Sequence, residues 1–277
     1  MTATVTAAAD ADVVERRTQS ALSRILHEFG YWIRRYRRSW RGTIVISVAN
    51  PVMFVVAMGA GLGRLVNHNH AAALHGVPYL QFMAPGLLAA AAMQTAYVEA
   101  AGPVLQSARK RGNYRTAFAT PMRATDILAG HLLFMAFRLT VSALAITAVI
   151  TAFGAVPPAR AALLVPAALL TGIAFAAPVA AYAVTVQRPA RLSALFRFVI
   201  MPLYMFSGTF YPTSQLPLWL RDVVVVSPLW HGVELCRGIA LGDATTAGTA
   251  VHVGILAGLA VLGYFAARRT YRRVLNA

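Results

Sequence analysis

The sequence predicts an all-α polytopic membrane protein. Of the 277 residues, 58% are hydrophobic and only 12% are charged, whereas a soluble domain carries about 25% charged residues. The net charge of +16 does not indicate a nucleic-acid-binding protein. All but one of the 25 basic residues are arginines, and they lie between apolar blocks instead of forming one basic face.

Six segments are long and apolar enough, or nearly so, to cross the hydrocarbon core, which takes about 20 residues. These predicted spans are residues 43–63, 78–103, 126–153, 160–185, 195–211 and 248–267. Prolines inside them predict kinks and not helix ends, because neighbouring helices satisfy the freed backbone groups. Between residues 212 and 247, apolar pieces too short to span predict re-entrant half-helices at the outer surface.

The positions of arginine and lysine predict the orientation, because these residues are enriched in cytoplasmic loops. With the N-terminus inside, 20 of them fall on the cytoplasmic side and four outside, and Arg138 is left within the membrane. We therefore expect a multi-pass protein of the bacterial inner membrane with both termini in the cytoplasm. Residues 1–19 lack the pattern of a signal peptide and are expected to form a disordered cytoplasmic tail. Residues 43–277 are expected to form one six-span domain.

Residues 20–41 are expected to form an amphipathic helix along the inner membrane surface. Apolar residues recur there at helical spacing, with arginines between them. The candidate site residues of this helix are Arg34, Arg35, Arg37 and Arg38. This helix is either an anchor for the first span or also a contact for a cytoplasmic partner, and its periodicity does not separate the two.

Polar residues within spans are costly and therefore candidate functional residues. Glu99 and His131 lie at similar depths, about 8–9 Å from the inner boundary on a 1.5 Å rise per residue. Arg138 lies about 18 Å in, and Gln94 lies at nearly the same level. This arithmetic predicts contacts of Glu99 with His131 and of Arg138 with Gln94. The pairs either fix helix packing, or Arg138 and Gln94 face a cavity and meet a polar or anionic cargo.

The connection between the second and third spans gathers five positive charges, which are Arg109, Lys110, Arg111, Arg115 and Arg123. A role in setting the membrane topology would explain the positive charge of this connection. It does not explain the apolar and aromatic residues between the charges, among them Tyr114 and Phe118. Asp126 suits the start of the following helix. We therefore expect an amphipathic element that docks on a partner.

The sequence favours no catalytic or metal-binding function. Lys110 lacks the glycine frame and hydroxyl of a nucleotide-binding P-loop, and the nine acidic residues are too scattered for a Mg²⁺ site. Three histidines of the first outer loop (His68, His70 and His75) could bind zinc. With no neighbouring carboxylate or cysteine, they are better interpreted as part of a polar loop.

Four segments together resemble the membrane subunits of ABC-2 type exporters, in the branch of NodJ-like and daunorubicin-resistance permeases. They are "YLQFMAPGLLAAAAMQTAYVEA", "NYRTAFATPMRATDILAG", "FSGTFYPTSQLPLWL" and "SPLWHGVELCRG". The resemblance runs from about residue 20 to residue 270 in matching order. It implies a coupling helix between spans two and three, a dimer of permeases, and two separate ATPases that hold ATP and magnesium. This chain itself would bind no cofactor.

The resemblance assigns roles to two groups of residues. The ATPase-coupling residues would be Ser107, Arg109, Lys110, Arg111, Tyr114, Arg115 and Phe118, and the cargo path between spans two and five would include Met201, Tyr204, Met205, Phe206 and Phe210. An aromatic stripe of that kind is more often a feature of helix packing. Arg115 departs from the family, which typically has an acidic residue after this aromatic, so the salt bridge of that carboxylate does not carry over.

The sequence thus predicts a permease, and not an enzyme, that exports an amphiphile such as a drug, a lipid or a lipid-linked sugar. Two alternatives remain open. A proton-coupled secondary transporter would use Glu99 and His131 as a relay. A membrane-integral lipid-modifying enzyme would need a catalytic cluster that the sequence does not display.

Overall fold

The computed structural model describes residues 20–57, 76–109 and 112–276, and for residues 39–52 it describes only the course of the backbone. Every regular element in these ranges is helical. In chain order the longer helices are α1 Ala21–Val56, α2 Tyr79–Ala108, α3 Asn113–Phe118, α4 Ala124–Ala152, α5 Pro158–Ala183, α6 Pro189–Phe206, α7 Leu218–Val226, α8 Pro228–Leu241 and α9 Thr246–Leu275. The prediction of an all-α chain is confirmed for this part of the sequence.

Several helices have the length and composition of membrane spans. Helices α4, α5, α6 and α9 meet both requirements. Helices α7 and α8 are bent by 83° at Ser227 and count as a fifth span only if they form one broken helix. Helix α2 has 30 residues, but Gln94 and Glu99 lower its hydropathy, and its many buried residues lie inside the bundle instead of facing lipid. A polytopic membrane protein is confirmed, and the count of six spans stays a prediction.

Helix α1 differs from the expected arrangement. The sequence predicts an interfacial helix over 20–41 that is separate from a span over 43–63, whereas the backbone runs as one helix of 36 residues. Ser20 begins it, because its side-chain oxygen accepts a hydrogen bond from the backbone N–H of Ser23 at 3.2 Å. No proline lies between residues 31 and 50, and Gly42 is the one glycine there. An isolated glycine is tolerated inside a helix, so no residue there forces a break. Residues 58–63 of the expected span lie outside the described ranges.

The interior of the bundle is built from small residues that let helices approach closely. Helix α5 lies centrally and packs against α2, α4, α8 and α9, while α1 lies on α4. Gly263 of α9 meets the ring of Pro178 in α5, and a Cβ at that position would lie 2.5 Å from Pro178 Cδ. Close approach at glycine is the usual device for packing helices within a membrane. Helices α2 and α5 also continue through their internal prolines, as the sequence predicts.

Helix α6 begins earlier and ends earlier than the predicted span 195–211. It runs over Pro189–Phe206 and contains a π-helical turn at Phe196–Ile200. The sequence places its start too late because Arg191 looks like a loop charge. Its end is set by Gly208, whose φ of +77° lies in the left-handed region that glycine favours.

Most of α6 is uncovered by the rest of the protomer. One side packs on α2, where the Tyr97 hydroxyl donates to the Leu192 carbonyl at 2.7 Å and the rings of Tyr97 and Phe196 lie 5.1 Å apart. The other side exposes large apolar side chains, with Phe198 at 79%. Of the residues in the 18-residue apolar stretch of α6, only 11% are buried, against 56% in the corresponding stretch of α5. Helix α6 is therefore peripheral in a single chain.

Candidate functional site: a buried polar cluster behind helix α3

Helix α3 lies in the short connection between α2 and α4, at the end of the bundle where α1 begins and α9 ends. This end is called the α3 end below, and the opposite end the far end. Tyr114 is fully buried, whereas Thr116 and the preceding Arg109 are exposed. Lys110 and Arg111 lie outside the described ranges. Helix α3 therefore exposes Thr116 to the surroundings and inserts one large aromatic residue into the bundle.

Tyr114 connects α3 to two long helices. Its hydroxyl forms a hydrogen bond with Nδ1 of His131 in α4, and another with the hydroxyl of Tyr271 in α9 at 3.2 Å. All three side chains have no exposed surface. Buried polar groups need partners, since an unpaired one costs about 1–3 kcal/mol. The three residues therefore hold α3, α4 and α9 in one arrangement.

Helix α1 joins the same cluster through Trp32 and Glu28. The Trp32 indole stacks on the His131 ring with centroids 3.8 Å apart and planes 6° apart. The indole N–H donates to Glu28 Oε1 at 2.8 Å, and the side-chain amide of Asn113 in α3 donates to the same oxygen at 3.2 Å. Gly130 permits this approach, because a Cβ there would lie 2.6 Å from Glu28 Cβ. The cluster thus contains residues from α1, α3, α4 and α9.

Burial controls the protonation of the two groups of the cluster that lie outside the spans. It raises the pKa of Glu28 to about 7, against the opposing effect of the hydrogen bonds from Trp32 and Asn113. Burial, followed by the neighbouring Tyr271, raises the pKa of Tyr114 well above its ordinary value. Tyr114 is therefore a neutral hydrogen-bonding group at physiological pH, whereas Glu28 titrates close to it.

We expect the Glu28→Gln variant to remove a pH dependence of stability. The folded protein holds the Glu28 proton more tightly than the unfolded chain, so its stabilising contribution is complete below pH 4.5 and is lost as the pH rises through about 7. Relative to the variant, the wild type should lose up to about 3 kcal/mol over that window, at 1.36 kcal/mol per pKa unit. The measurement is the free energy of unfolding in detergent from pH 4.5 to 8.

The matched control for this prediction is Asp222→Asn, which neutralises an exposed carboxylate on α7. The control should follow the wild type at every pH. Parallel pH curves for the wild type and the Glu28→Gln variant would contradict the prediction.

An ion pair closes the side of the cluster next to the start of α4. Arg24 Nε of α1 lies 2.6 Å from Asp126 Oδ2. The same carboxylate oxygen accepts the backbone N–H of Arg123 at 3.1 Å. Asp126 therefore lies in the first turn of α4, as the sequence predicts, and it also attaches α1 there.

A second buried ion pair lies deeper, and it differs from the predicted contacts. Arg138 Nε lies 3.0 Å from Glu99 Oε1, and Arg138 Nη1 donates to the Tyr36 hydroxyl at 2.7 Å. The guanidinium also lies 4.4 Å from the centroid of the Tyr36 ring. The predicted pairing of Glu99 with His131 is wrong, and no contact in the described ranges joins Gln94 to Arg138. Depth along each helix does not account for the reach of an arginine side chain, or for the contribution of α1.

The other predicted coupling residues are distributed over three environments. Ser107 is buried, Phe118 is half-buried, and Arg115 donates to the Val274 carbonyl of α9 at 3.3 Å. Among the described members of the set, Arg109 is the exposed one. The arginines of the α1 polar face, Arg34, Arg35, Arg37 and Arg38, are exposed as expected. The sequence therefore locates the coupling segment but not which of its side chains face outward.

The residues of the predicted cargo path also divide. Tyr204 and Phe210 pack on each other with ring centroids 5.3 Å apart, and Phe210 packs on Phe54 at 5.4 Å. The exposed members are Met201 at 43%, Met205 at 50% and Phe206 at 43%. The structure therefore separates a packing pair from an open apolar face on α6.

The far end carries a polar group that sequence reasoning missed. The charge distribution of the sequence places Arg237 of α8 among the four outer basic residues, but its side chain is buried. It donates to the carbonyls of Phe82 and Gly208 and to Glu234. Its spacing of three residues from Glu234 on a helix is the sequence signal for that pair. Arg237 therefore holds α8 against α2 and the end of α6.

Two histidines join α8 to α9 at the far end. His231 Nδ1 lies 2.8 Å from His252 Nδ1, and the Trp230 ring packs edge-on against both imidazoles. Across the described ranges, no three His, Cys, Asp or Glu side chains converge to hold a metal ion. His68, His70 and His75 lie outside those ranges.

The helical bundle and its buried ion pairs define the class as a multi-pass membrane protein, and comparison with known proteins defines the family. The chain belongs to the ABC-2 type transporter family, whose model matches residues 30–241. Within that family it is a NodJ-like permease, the membrane subunit of an ABC transporter and not an enzyme, and it works with an ABC ATPase subunit.

The relatives are matched over most of their length. Nodulation protein J of Rhizobium meliloti (strain 1021) is 28% identical over 253 residues, which cover 88% of this chain and 94% of that protein. Nodulation protein J of Sinorhizobium fredii is 30% identical over 245 residues, 84% and 90% of the two chains. The inner membrane transport permease YadH of Escherichia coli (strain K12) is 23% identical over 210 residues, 76% and 80%.

Proposed function

We propose that this permease exports an amphiphile, such as a drug-like molecule, a lipid or a lipid-linked sugar, from the cytoplasm or the inner leaflet. The observation that carries the proposal is helix α3, which exposes Thr116 near the exposed Arg109 at one end of the bundle and is attached to the interior by Tyr114. An ATPase that docks on the exposed face would move the helices behind it. ATP and magnesium would be held by that subunit, and this chain would bind no cofactor.

The proposed assembly contains two permeases and two ATPases in a bacterial inner membrane. Each permease would cross the membrane six times, with α7 and α8 as re-entrant half-helices, residues 1–19 as a cytoplasmic tail and both termini in the cytoplasm. The arginines of α1 would lie at the phosphates of the inner leaflet. The uncovered side of α6, with Met201, Met205 and Phe206, would face the second permease and the apolar part of the cargo.

No contact in the described ranges favours the alternative of a proton-coupled transporter. Its relay would need Glu99 and His131 to exchange a proton. Glu99 is instead paired with Arg138, and His131 is enclosed by Tyr114 and Trp32. Each of the two groups therefore lies in its own closed environment.

The test is co-purification of the chain with a candidate ABC ATPase subunit from the same organism, comparing the wild type with the Arg109→Glu/Thr116→Glu variant. Both positions are exposed and lie at α3, so the variant should fold and lose association by about tenfold or more, because like-charge contacts at an interface cost several kcal/mol. The readout is the ratio of ATPase to permease after affinity purification. Stimulation of ATP hydrolysis by the permease should fall with it.

The matched control is Arg221→Glu, a charge reversal at an exposed position of α7 at the far end. It should leave the subunit ratio unchanged. Equal ratios for all three proteins would contradict docking on α3 and would move the contact to the polar face of α1.

A further inference from the structure

We propose that helix α9 transmits motion from α3 to the bent pair α7–α8, with Tyr114–Tyr271 as the joint at one end and His231–His252 as the joint at the other. The inference rests on the proposed function, since it assumes that an ATPase moves α3. It goes further because it assigns positioning roles to Tyr114, Tyr271, His231 and His252 and directs the motion to the far end.

The first step is the attachment of α3 to the end of α9. Tyr271 accepts or donates a hydrogen bond with Tyr114 at 3.2 Å, and their ring centroids lie 5.4 Å apart. One residue along α3, Arg115 donates to the Val274 carbonyl in the last turn of α9. Two successive residues of α3 thus contact α9, and both tyrosines are fully buried. Separating them would remove the hydrogen bond of the buried Tyr271 hydroxyl, so α3 and this end of α9 move together.

The second step is the length of α9. It runs for 30 residues without an internal proline, which corresponds to about 45 Å at 1.5 Å per residue. Near its middle it packs closely on a neighbour, because Gly263 lies against Pro178 of α5. A continuous helix held at its middle passes a displacement from one end to the other as a lever.

The third step is the joint at the far end. His252 lies two turns from the start of α9, and its imidazole contacts both His231 and Trp230 in the first turn of α8. Helix α8 begins directly after the 83° bend, and its buried Arg237 holds carbonyls of Phe82 and Gly208. Displacement of α9 is therefore applied next to the bend, while Arg237 fixes the other end of α8. The expected result is a change in the angle between α7 and α8 at the far end of the bundle.

The experiment uses pulsed electron–electron double resonance to measure distances between spin labels on the permease–ATPase complex in nanodiscs. The complex is measured with ATP alone and after trapping with ATP and vanadate. Pair A places labels at Thr116 and Arg269, on α3 and α9. Pair B places them at Ala159, at the far end of α5, and at Arg221, on α7 across the bend from α8. All four positions are exposed. The native Cys236 is fully buried and gives little background.

In the wild type we expect the pair B distance to change on trapping while the pair A distance stays constant. The variants Tyr271→Phe and His252→Phe each remove the hydrogen bond of one joint and keep an aromatic ring at that position. In either, the fraction of complexes that shifts in pair B should fall about fivefold or more, the low end of typical coupling between sites. ATPase co-purification and basal ATP hydrolysis should persist. Tyr264→Phe, at a half-buried tyrosine of α9 outside both joints, is the matched control and should behave as the wild type.

The outcomes separate the inference from the proposed function. Failure of the ATPase to associate with the wild-type chain would overturn the proposed function. Association with a pair A distance that changes on trapping, or a pair B distance that does not, would overturn the role of α9 alone. Persistence of the full pair B change in both Phe variants would also overturn it. Loss in Tyr271→Phe only would overturn the far joint.

Discussion

Replacing Arg138 by leucine is expected to destabilise the bundle by about 3–5 kcal/mol, the range observed when one partner of a buried ion pair is removed. The Arg138 side chain is 2% exposed and supplies the positive charge beside Glu99. Without it the carboxylate is left in a low-dielectric interior, and the Tyr36 hydroxyl loses the guanidinium as its partner. The measurement is the free energy of unfolding in detergent by titration with a denaturing surfactant.

The double variant Glu99→Gln/Arg138→Leu tests the electrostatic cause. It removes both charges, and it should recover most of the stability lost in Arg138→Leu, because the penalty arises from the unpaired charge more than from the missing contact. Arg221→Leu removes an exposed arginine at the far end and controls for arginine removal. Equal destabilisation of the single and double variants would show that Arg138 acts through packing alone.

Replacing Trp32 by alanine is expected to cost about 3–5 kcal/mol, as for other buried large aromatic residues. Trp32 is 3% exposed, fills the space against His131 and Phe134, and donates to Glu28. Its loss opens a cavity at the junction of α1, α3 and α4 and removes a hydrogen bond from a buried carboxyl group. We expect α1 to detach from α4 at the α3 end, which protease digestion of the detergent-solubilised protein detects as new cleavage around residue 30.

Trp219→Ala is the matched control for this substitution. Trp219 is 71% exposed on α7, so the same chemical change there removes little packing. Trp32→Phe should recover part of the stability, because it retains the aromatic contact with His131 and loses only the indole N–H and some volume. If Trp32→Ala melts with the same midpoint as Trp219→Ala, the cluster does not hold α1 in place.

The sequence predicts the long helices well because apolar length is a local property. Predicted spans 126–153 and 160–185 correspond to Ala124–Ala152 and Pro158–Ala183, within a few residues at each end. The failures occur where local signals conflict. Arg191 obscures the start of α6, and the arginines of α1 suggest a boundary between surface helix and span that the continuous backbone does not have.

The site is harder to predict because its members come from distant parts of the chain. Tyr114 and Tyr271 are 157 residues apart, and nothing local to either one names the other. One signal was present. Glu28 lies on the apolar stripe of α1, one turn from Ile25 and Trp32, and an acidic residue on an apolar helix face predicts a buried partner. The identity of that partner, Asn113, needs the tertiary structure.

The contacts of α1 also determine when, during synthesis, this helix can complete its packing. Asn113 follows Glu28 by 85 residues, and Asp126 follows Arg24 by 102. At about 5–20 residues per second, the first helix waits on the order of 10 s for the partners that complete its inner face. A truncated chain that ends before α4 therefore leaves exposed the face of Trp32 that packs on His131 and Phe134 in the complete protein. We expect such a chain to be degraded by membrane quality-control proteases, whereas a chain that includes α4 allows α1 to pack on it.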